Sequence, residues 1–125
     1  ARLACFLHEL PTWFKTAIEF RHPSWHEPEI FELLERHQVA YCVMSGAQLP
    51  CVLRATARHV YVRLHGPRPD ALYTGDYSEA DLQWWKSRIE EWLAQAREVF
   101  VYFNNTMGGS AVRNAGRLRA LLDGS

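Results

Sequence analysis

Two short stretches put charge where a strand pattern calls for apolar side chains. In "AIEFRH", residues 17–22, Glu19 and Arg21 alternate with Ile18 and Phe20; in "VYVRLHG", residues 60–66, Tyr61, Arg63 and His65 alternate with Val60, Val62 and Leu64. Successive side chains of a strand point to opposite faces, so each stretch has one apolar face and one ionisable face. Arginines suit bidentate contacts to phosphate or carboxylate. His65 and His22 titrate near neutrality and can carry a proton, with Glu19 as a neighbouring carboxylate. A third stretch, "VFVYFNN", runs out on Asn104 and Asn105, neutral donors at the same end of the pattern. Ligands of parallel α/β folds sit at the carboxyl ends of strands, where Arg21, His22, His65, Gly66, Asn104 and Asn105 fall. Burying the charges unpaired costs several kcal/mol, so Glu19 is expected to meet Arg21 or Arg63. The plainer reading of the same residues is a structural ion pair, with His65 bonded to a backbone carbonyl.

Beyond the asparagines, "TMGGSAVRN" brings Gly108 and Gly109 to the start of a helix near Ser110. Converging amides and the positive end of the helix dipole there would accept a phosphate or carboxylate, although two adjacent glycines also make an ordinary turn. Tyr73 and Tyr77 bracket Gly75 in the loop after Gly66 and can either stack on a ligand ring or pack the loop onto the sheet. Trp25 can wall a pocket or join the core. Metal chemistry has little support: Pro23 interrupts His22 and His26, and a set of His65, His22 and Glu19 needs all three to converge. Ser45 lacks a glycine-flanked nucleophile elbow, and Cys5, Cys42 and Cys51 have no evident histidine partner. No metal and no cofactor is expected.

The elements that must position these groups read as follows. "LACFL", residues 3–7, reads as a strand closed by Pro11, and residues 17–21 as a second; His8 and Glu9 join the site only if the first lies in the sheet. "HEPEIFELLERHQ" reads as a helix with Pro28 in its first turn and Ile30, Phe31, Leu33 and Leu34 on its apolar face. Strands follow at 39–45, 59–66 and 98–105, with residues 46–58 irregular. Ser78 and Asp81 form a capping-box pattern before a helix whose apolar face carries Leu82, Trp85, Ile89, Trp92, Leu93 and Ala96, with Trp84 beside it. Residues 110–122 close the chain as a helix. Strands alternating with helices imply an α/β parallel sheet. The exception is the start, where about ten residues are too few for a parallel return between the first two strands.

At 125 residues the chain is one domain and too short for a complete eight-stranded α/β barrel of about 250 residues. Acidic and basic side chains balance at 14 each, which disfavours nucleic acid as a partner. Three cysteines without ligand spacing and no apolar stretch of spanning length indicate a cytoplasmic protein with no membrane contact.

The motifs "EFRHPSW", "TARHVYVRLHG", "YTGDYSEADLQWW" and "VYFNNTMGGSAVRNAGRLRALL" together resemble the YecE-like family, domain of unknown function 72, over residues 17–122. The resemblance implies a TIM-barrel-like fold of which this chain is the second half: a mostly parallel sheet of about four strands with crossover helices. It implies that Glu19, Arg21, His22, Trp25, Arg63, His65, Gly66, Tyr73, Gly75, Tyr77, Asn104, Asn105 and Asn114 line a pocket at the strands' carboxyl ends. It also likens "FLHELPTWF" to a shortened family strand, with the helix after it missing. Met44 and Ser45 stand where the family commonly carries histidine and aspartate, and Thr106 where aspartate is usual. A half barrel exposes two sheet edges and an inner face, so the expected partners are a small anionic ligand and either a second copy of the chain or an N-terminal half-barrel. The functional expectation is anion binding by Arg21, Arg63, Tyr73, Tyr77, Asn104, Asn105, Gly66, Gly108 and Gly109. An inactive barrel fragment and a nucleic-acid backbone binder are the alternatives.

Overall fold

A computed structural model describes residues 2–47 and 49–124; Gln48, within the segment read as irregular, lies outside the described residues. Four strands, β1 (Ala17–Ile18), β2 (Ala40–Ser45), β3 (His59–Leu64) and β4 (Glu98–Phe103), form one sheet in the order β1-β2-β3-β4. Every pairing is parallel, with Ile18 opposite Tyr41, Cys42 opposite Tyr61 and Tyr61 opposite Phe100. Helices α1 (Arg2–Glu9), α2 (Pro28–His37), α3 (Glu79–Ala94) and α4 (Ser110–Asp123) accompany them. Sequential parallel strands with helices between them are the arrangement of half a closed (β/α)8 barrel. Among the described residues no helix is long and apolar enough to cross a membrane.

The core forms between the helices and one face of the sheet. Val60, Val62 and Leu64 of β3 are wholly buried there, beside Leu34 and Phe31 from α2 and Leu82, Trp85, Ile89 and Trp92 from α3. The capping box at α3 is complete: the Asp81 backbone N–H donates to Ser78 Oγ at 3.0 Å, and the Ser78 N–H donates to Asp81 Oδ2 at 3.1 Å. Two residues placed on that helix's apolar face leave it. Leu93 is half exposed, and Ala96 lies beyond the helix end in the left-handed region at φ 61°. Among the described residues no helix joins β2 to β3. Thr56 in that connection instead accepts from the Tyr41 N–H at 2.8 Å and donates to Val39 O at 2.6 Å, tying the segment to β2.

The first element corrects the sequence reading. Residues 3–7 lie in helix α1, not in a strand, and only Ala17 and Ile18 of the second predicted strand pair in the sheet. Leu3, Leu7 and Leu10 recur at helical spacing and face the core, with Leu7 buried. Five apolar residues in a row do not distinguish a buried strand from a helix. The spacing difficulty disappears with the strand, because "FLHE" belongs to helix α1 and "LPTWF" to the turn that leads from it to β1.

Candidate functional site

Parallel register brings the ionisable strand faces together on the side of the sheet away from the helices. Glu19 follows β1, Arg63 stands near the end of β3 and Asn104 follows β4. Arg63 Nη1 donates to Glu19 Oε2 at 2.6 Å, and Arg63 Nε donates to Asn104 Oδ1 at 3.2 Å. Arg21 Nε donates to the other carboxylate oxygen, Glu19 Oε1, and the Tyr73 side chain influences the same guanidinium. One carboxylate therefore sits between two guanidiniums. Burial alone would push the Glu19 carboxyl up, but the hydrogen bonds and charges of Arg21 and Arg63 outweigh it and hold the group below its ordinary value. Tyr73, then Glu19, raise Arg21 above its ordinary value.

Below this cluster the inner face is bare. A concavity of about 420 Å³ is lined by Glu19, Cys42, Tyr61, Arg63, Phe100 and Tyr102, with Lys15 and His59 at its base. Tyr61 stacks on Tyr102 with ring centroids 5.0 Å apart. Cys42 donates weakly to Glu19 Oε2 at 3.8 Å, and burial, then the carboxylate, pushes its thiol up to about 12. At the amino ends of the strands Lys15 Nζ meets Glu98 Oε1 at 2.6 Å, linking the chain just before β1 to the start of β4 across the curled sheet.

His65 does not line the concavity. Its side chain is wholly buried, Tyr73 lies edge-on to it at 5.4 Å, and its Nε2 is 3.8 Å from Glu19 Oε2. Neither ring nitrogen has a hydrogen-bond partner among the described residues, so the expected backbone carbonyl is not there. Burial, then the Arg63 charge, lowers the imidazole from its ordinary value against the opposing pull of Glu19. His22 is committed elsewhere: its Nδ1 accepts from the Ser24 N–H at 3.1 Å and caps the 3-10 turn Pro23–Trp25. Trp25 stacks on Phe20, on the helix side of the sheet. Among the described residues no three His, Cys, Asp or Glu side chains gather into a metal-binding group.

The remaining predicted residues form a second assembly that holds loops together. Gly66 N–H donates to Tyr77 Oη at 2.9 Å, and the Tyr77 hydroxyl donates in turn to Ser45 Oγ at 3.4 Å. Asn105 is wholly buried; its Nδ2 donates to Gly75 O at 2.8 Å and to Asn114 Oδ1 at 2.7 Å. Asn114 Oδ1 also accepts from the Tyr77 N–H at 3.1 Å. Gly66 permits this closure: at φ 125° a Cβ would lie 2.4 Å from Thr74 O. Gly108 and Gly109 adopt left-handed φ of 70° and 76°, yet the Gly109 N–H is taken by Thr106 O at 3.1 Å, so the two amides do not converge. Strand alternation already placed Tyr61 beside Arg63, and the same parity puts Phe100 and Tyr102 with Asn104 on the inner face. Cys42 follows from the same parity in "VAYCVMS", whereas nothing local marks Lys15.

A family model described as "Protein of unknown function DUF72" matches residues 1–125. The chain belongs to the DUF72 family. It is 29% identical to the UPF0759 protein YunF of Bacillus subtilis over 165 residues, covering 98% of this chain and 58% of YunF. The crystal structure of a DUF72 family protein from Thermotoga maritima superposes with a TM-score of 0.86 at 29% identity, over 97% of this chain and 50% of the other. A DUF72 structure from Enterococcus faecalis superposes at 0.82 with 23% identity, over 98% and 50%, which shows the shared fold. This DUF72 chain thus spans about half the length of the relatives it matches, in keeping with four of eight barrel strands.

Proposed function

We propose that this DUF72 chain binds a phosphate- or carboxylate-bearing small molecule at the carboxyl ends of its strands, with Arg63 and Arg21 holding the anion. The observation that carries the reading is the unequal pairing at Glu19. One carboxylate shared by two guanidiniums leaves a positive charge over, at the rim of a concavity with an aromatic floor. Arg63 directs two N–H groups to Glu19 and Asn104 out of the five a guanidinium offers, so donors remain for an incoming oxygen. Asn104 steadies the Arg63 fork, and exposed Tyr102 offers a ring face to the remainder of the ligand. Gly66, Tyr77 and Asn105 support this by fixing the loops around the rim. The reading stops at binding: His22 is occupied as a cap and His65 is sealed beneath Tyr73, so no proton transfer to substrate is included.

Calorimetric titration of inorganic phosphate and acetate into the folded chain tests the reading. The expected result is saturable binding that Arg63→Ala abolishes while circular dichroism stays unchanged. A folded chain that binds neither anion, or an Arg63→Ala form that binds as before, overturns it. Salt separates a nucleic-acid backbone binder from a small-molecule site, since contact with several phosphates gives a steep fall of affinity with salt and contact with one a shallow one.

A further inference from the structure

We infer that the anion held by Arg21 and Arg63 is doubly charged, a phosphate monoester or its equivalent, and that His65 takes up one proton from solvent as it binds. The inference rests on the anion-binding reading above and narrows its ligand class. Glu19, Arg21 and Arg63 together carry one positive charge. A carboxylate cancels that charge and leaves nothing to balance. A dianion leaves one negative charge too many beside a carboxylate that is 15% exposed, where water screens poorly.

His65 is the group placed to supply the balancing charge. Its Nε2 lies 3.8 Å from the same Glu19 oxygen that Arg63 holds at 2.6 Å. The groups facing it are Glu19 and Arg21 from the segment after β1, Arg63 from its own strand, and Tyr73 from the loop above. A wholly buried imidazole with both ring nitrogens unpartnered among the described residues is an unsatisfied state. Protonation makes Nε2 a charged donor aimed at Glu19, which satisfies that nitrogen. Burial and the Arg63 charge oppose protonation in the empty site. An anion seated against Arg63 cancels the second opposition, so binding and proton uptake favour each other. As His65 takes over the Glu19 oxygen, Arg63 Nη1 becomes available to the ligand.

Sulfate is a suitable probe, because it stays a dianion across the histidine range and contributes no titration of its own; methyl sulfate is its singly charged counterpart. Each is titrated calorimetrically into the chain in buffers of different protonation enthalpy, between about pH 6 and about pH 8. Sulfate is expected to bind with uptake of close to one proton and to strengthen by up to about tenfold per pH unit as pH falls. Methyl sulfate, with half the charge to set against Arg63, is expected to bind more weakly and with clearly less uptake. Histidine ring signals followed by NMR in the unmutated protein should show His65 titrating at higher pH when sulfate is present, and His65→Gln should bind sulfate without uptake. Sulfate bound with no proton uptake and no movement of the His65 signal overturns the inference and leaves the anion reading standing. Failure of both sulfate and methyl sulfate to bind removes both. If His65→Gln does not fold, the NMR titration of the unmutated protein decides.

Discussion

Replacing Glu19 with glutamine keeps the side-chain shape and removes the one negative charge that both guanidiniums share. Side-chain exposures of 15% for Glu19, 30% for Arg63 and 44% for Arg21 place the cluster between surface and interior. An exposed pair is worth about 0–1 kcal/mol, and breaking a fully buried one costs about 3–5 kcal/mol. Glu19→Gln is therefore expected to lower stability at neutral pH by about 2 kcal/mol. The pH dependence follows from direction alone. The Glu19 carboxyl lies below its ordinary value of 4.5, so its stabilisation is complete above that pH and is lost as pH falls through the folded value. The gap between the two proteins should thus narrow in acid. His65, lowered from 6.5 against the pull of Glu19, adds a separate loss as pH falls below 6.5 that is larger in the variant, so the narrowing is read below 4.5, where Glu19 itself protonates. The same substitution leaves two uncompensated guanidiniums, so sulfate affinity should rise as stability falls. Urea unfolding at several pH values and sulfate titration read both quantities. Equal stability at neutral pH, a gap that stays constant in acid, or weaker sulfate binding would refute the electrostatic account of the cluster.

Asn105→Ala removes two donors from a wholly buried amide and strands Gly75 O and one bond of Asn114 Oδ1; chemical denaturation should show a loss of about 2–4 kcal/mol, and a loss below 0.5 would contradict the loop assembly. Gly66→Ala should cost about 2 kcal/mol or more, because its φ of 125° and a Cβ 2.4 Å from Thr74 O strain the turn together; a neutral change in thermal midpoint would exclude that contact. With Phe100 and Tyr102 exposed on the inner face and both outer strands unpaired on one side, the isolated chain should self-associate, and light scattering that reports a concentration-independent monomer would count against it.

The parts of the fold visible in the sequence are those where one local rule acts alone. Alternation located β3 and β4 and sorted their faces correctly, and the Ser78–Asp81 pattern marked the start of α3. The N-terminal helix escaped because a short apolar run has no period of its own, and its Leu3, Leu7 and Leu10 stripe has meaning only once the core beneath it is known. The site divides the same way. Parity put Glu19, Arg21 and Arg63 on one face, and register then made them neighbours. Parity also aimed His65 inward, but whether a loop covers an inward side chain depends on residues such as Tyr73, eight positions on, whose left-handed φ of 67° no local pattern announces. Asn105 illustrates the limit most plainly: its neighbour Asn104 serves the arginine, while Asn105, pointing the other way, serves Gly75 and Asn114.

The loop assembly built by Gly66, Tyr77, Asn105 and Asn114 uses residues from the most recognisable motifs of the chain, yet every bond it makes is internal. Proteins can therefore share those letters and still accept different molecules, because the letters preserve a frame. If Arg21 and Arg63 hold the anion as proposed, kinship in ligand is judged at them and at the aromatic floor, outside that frame.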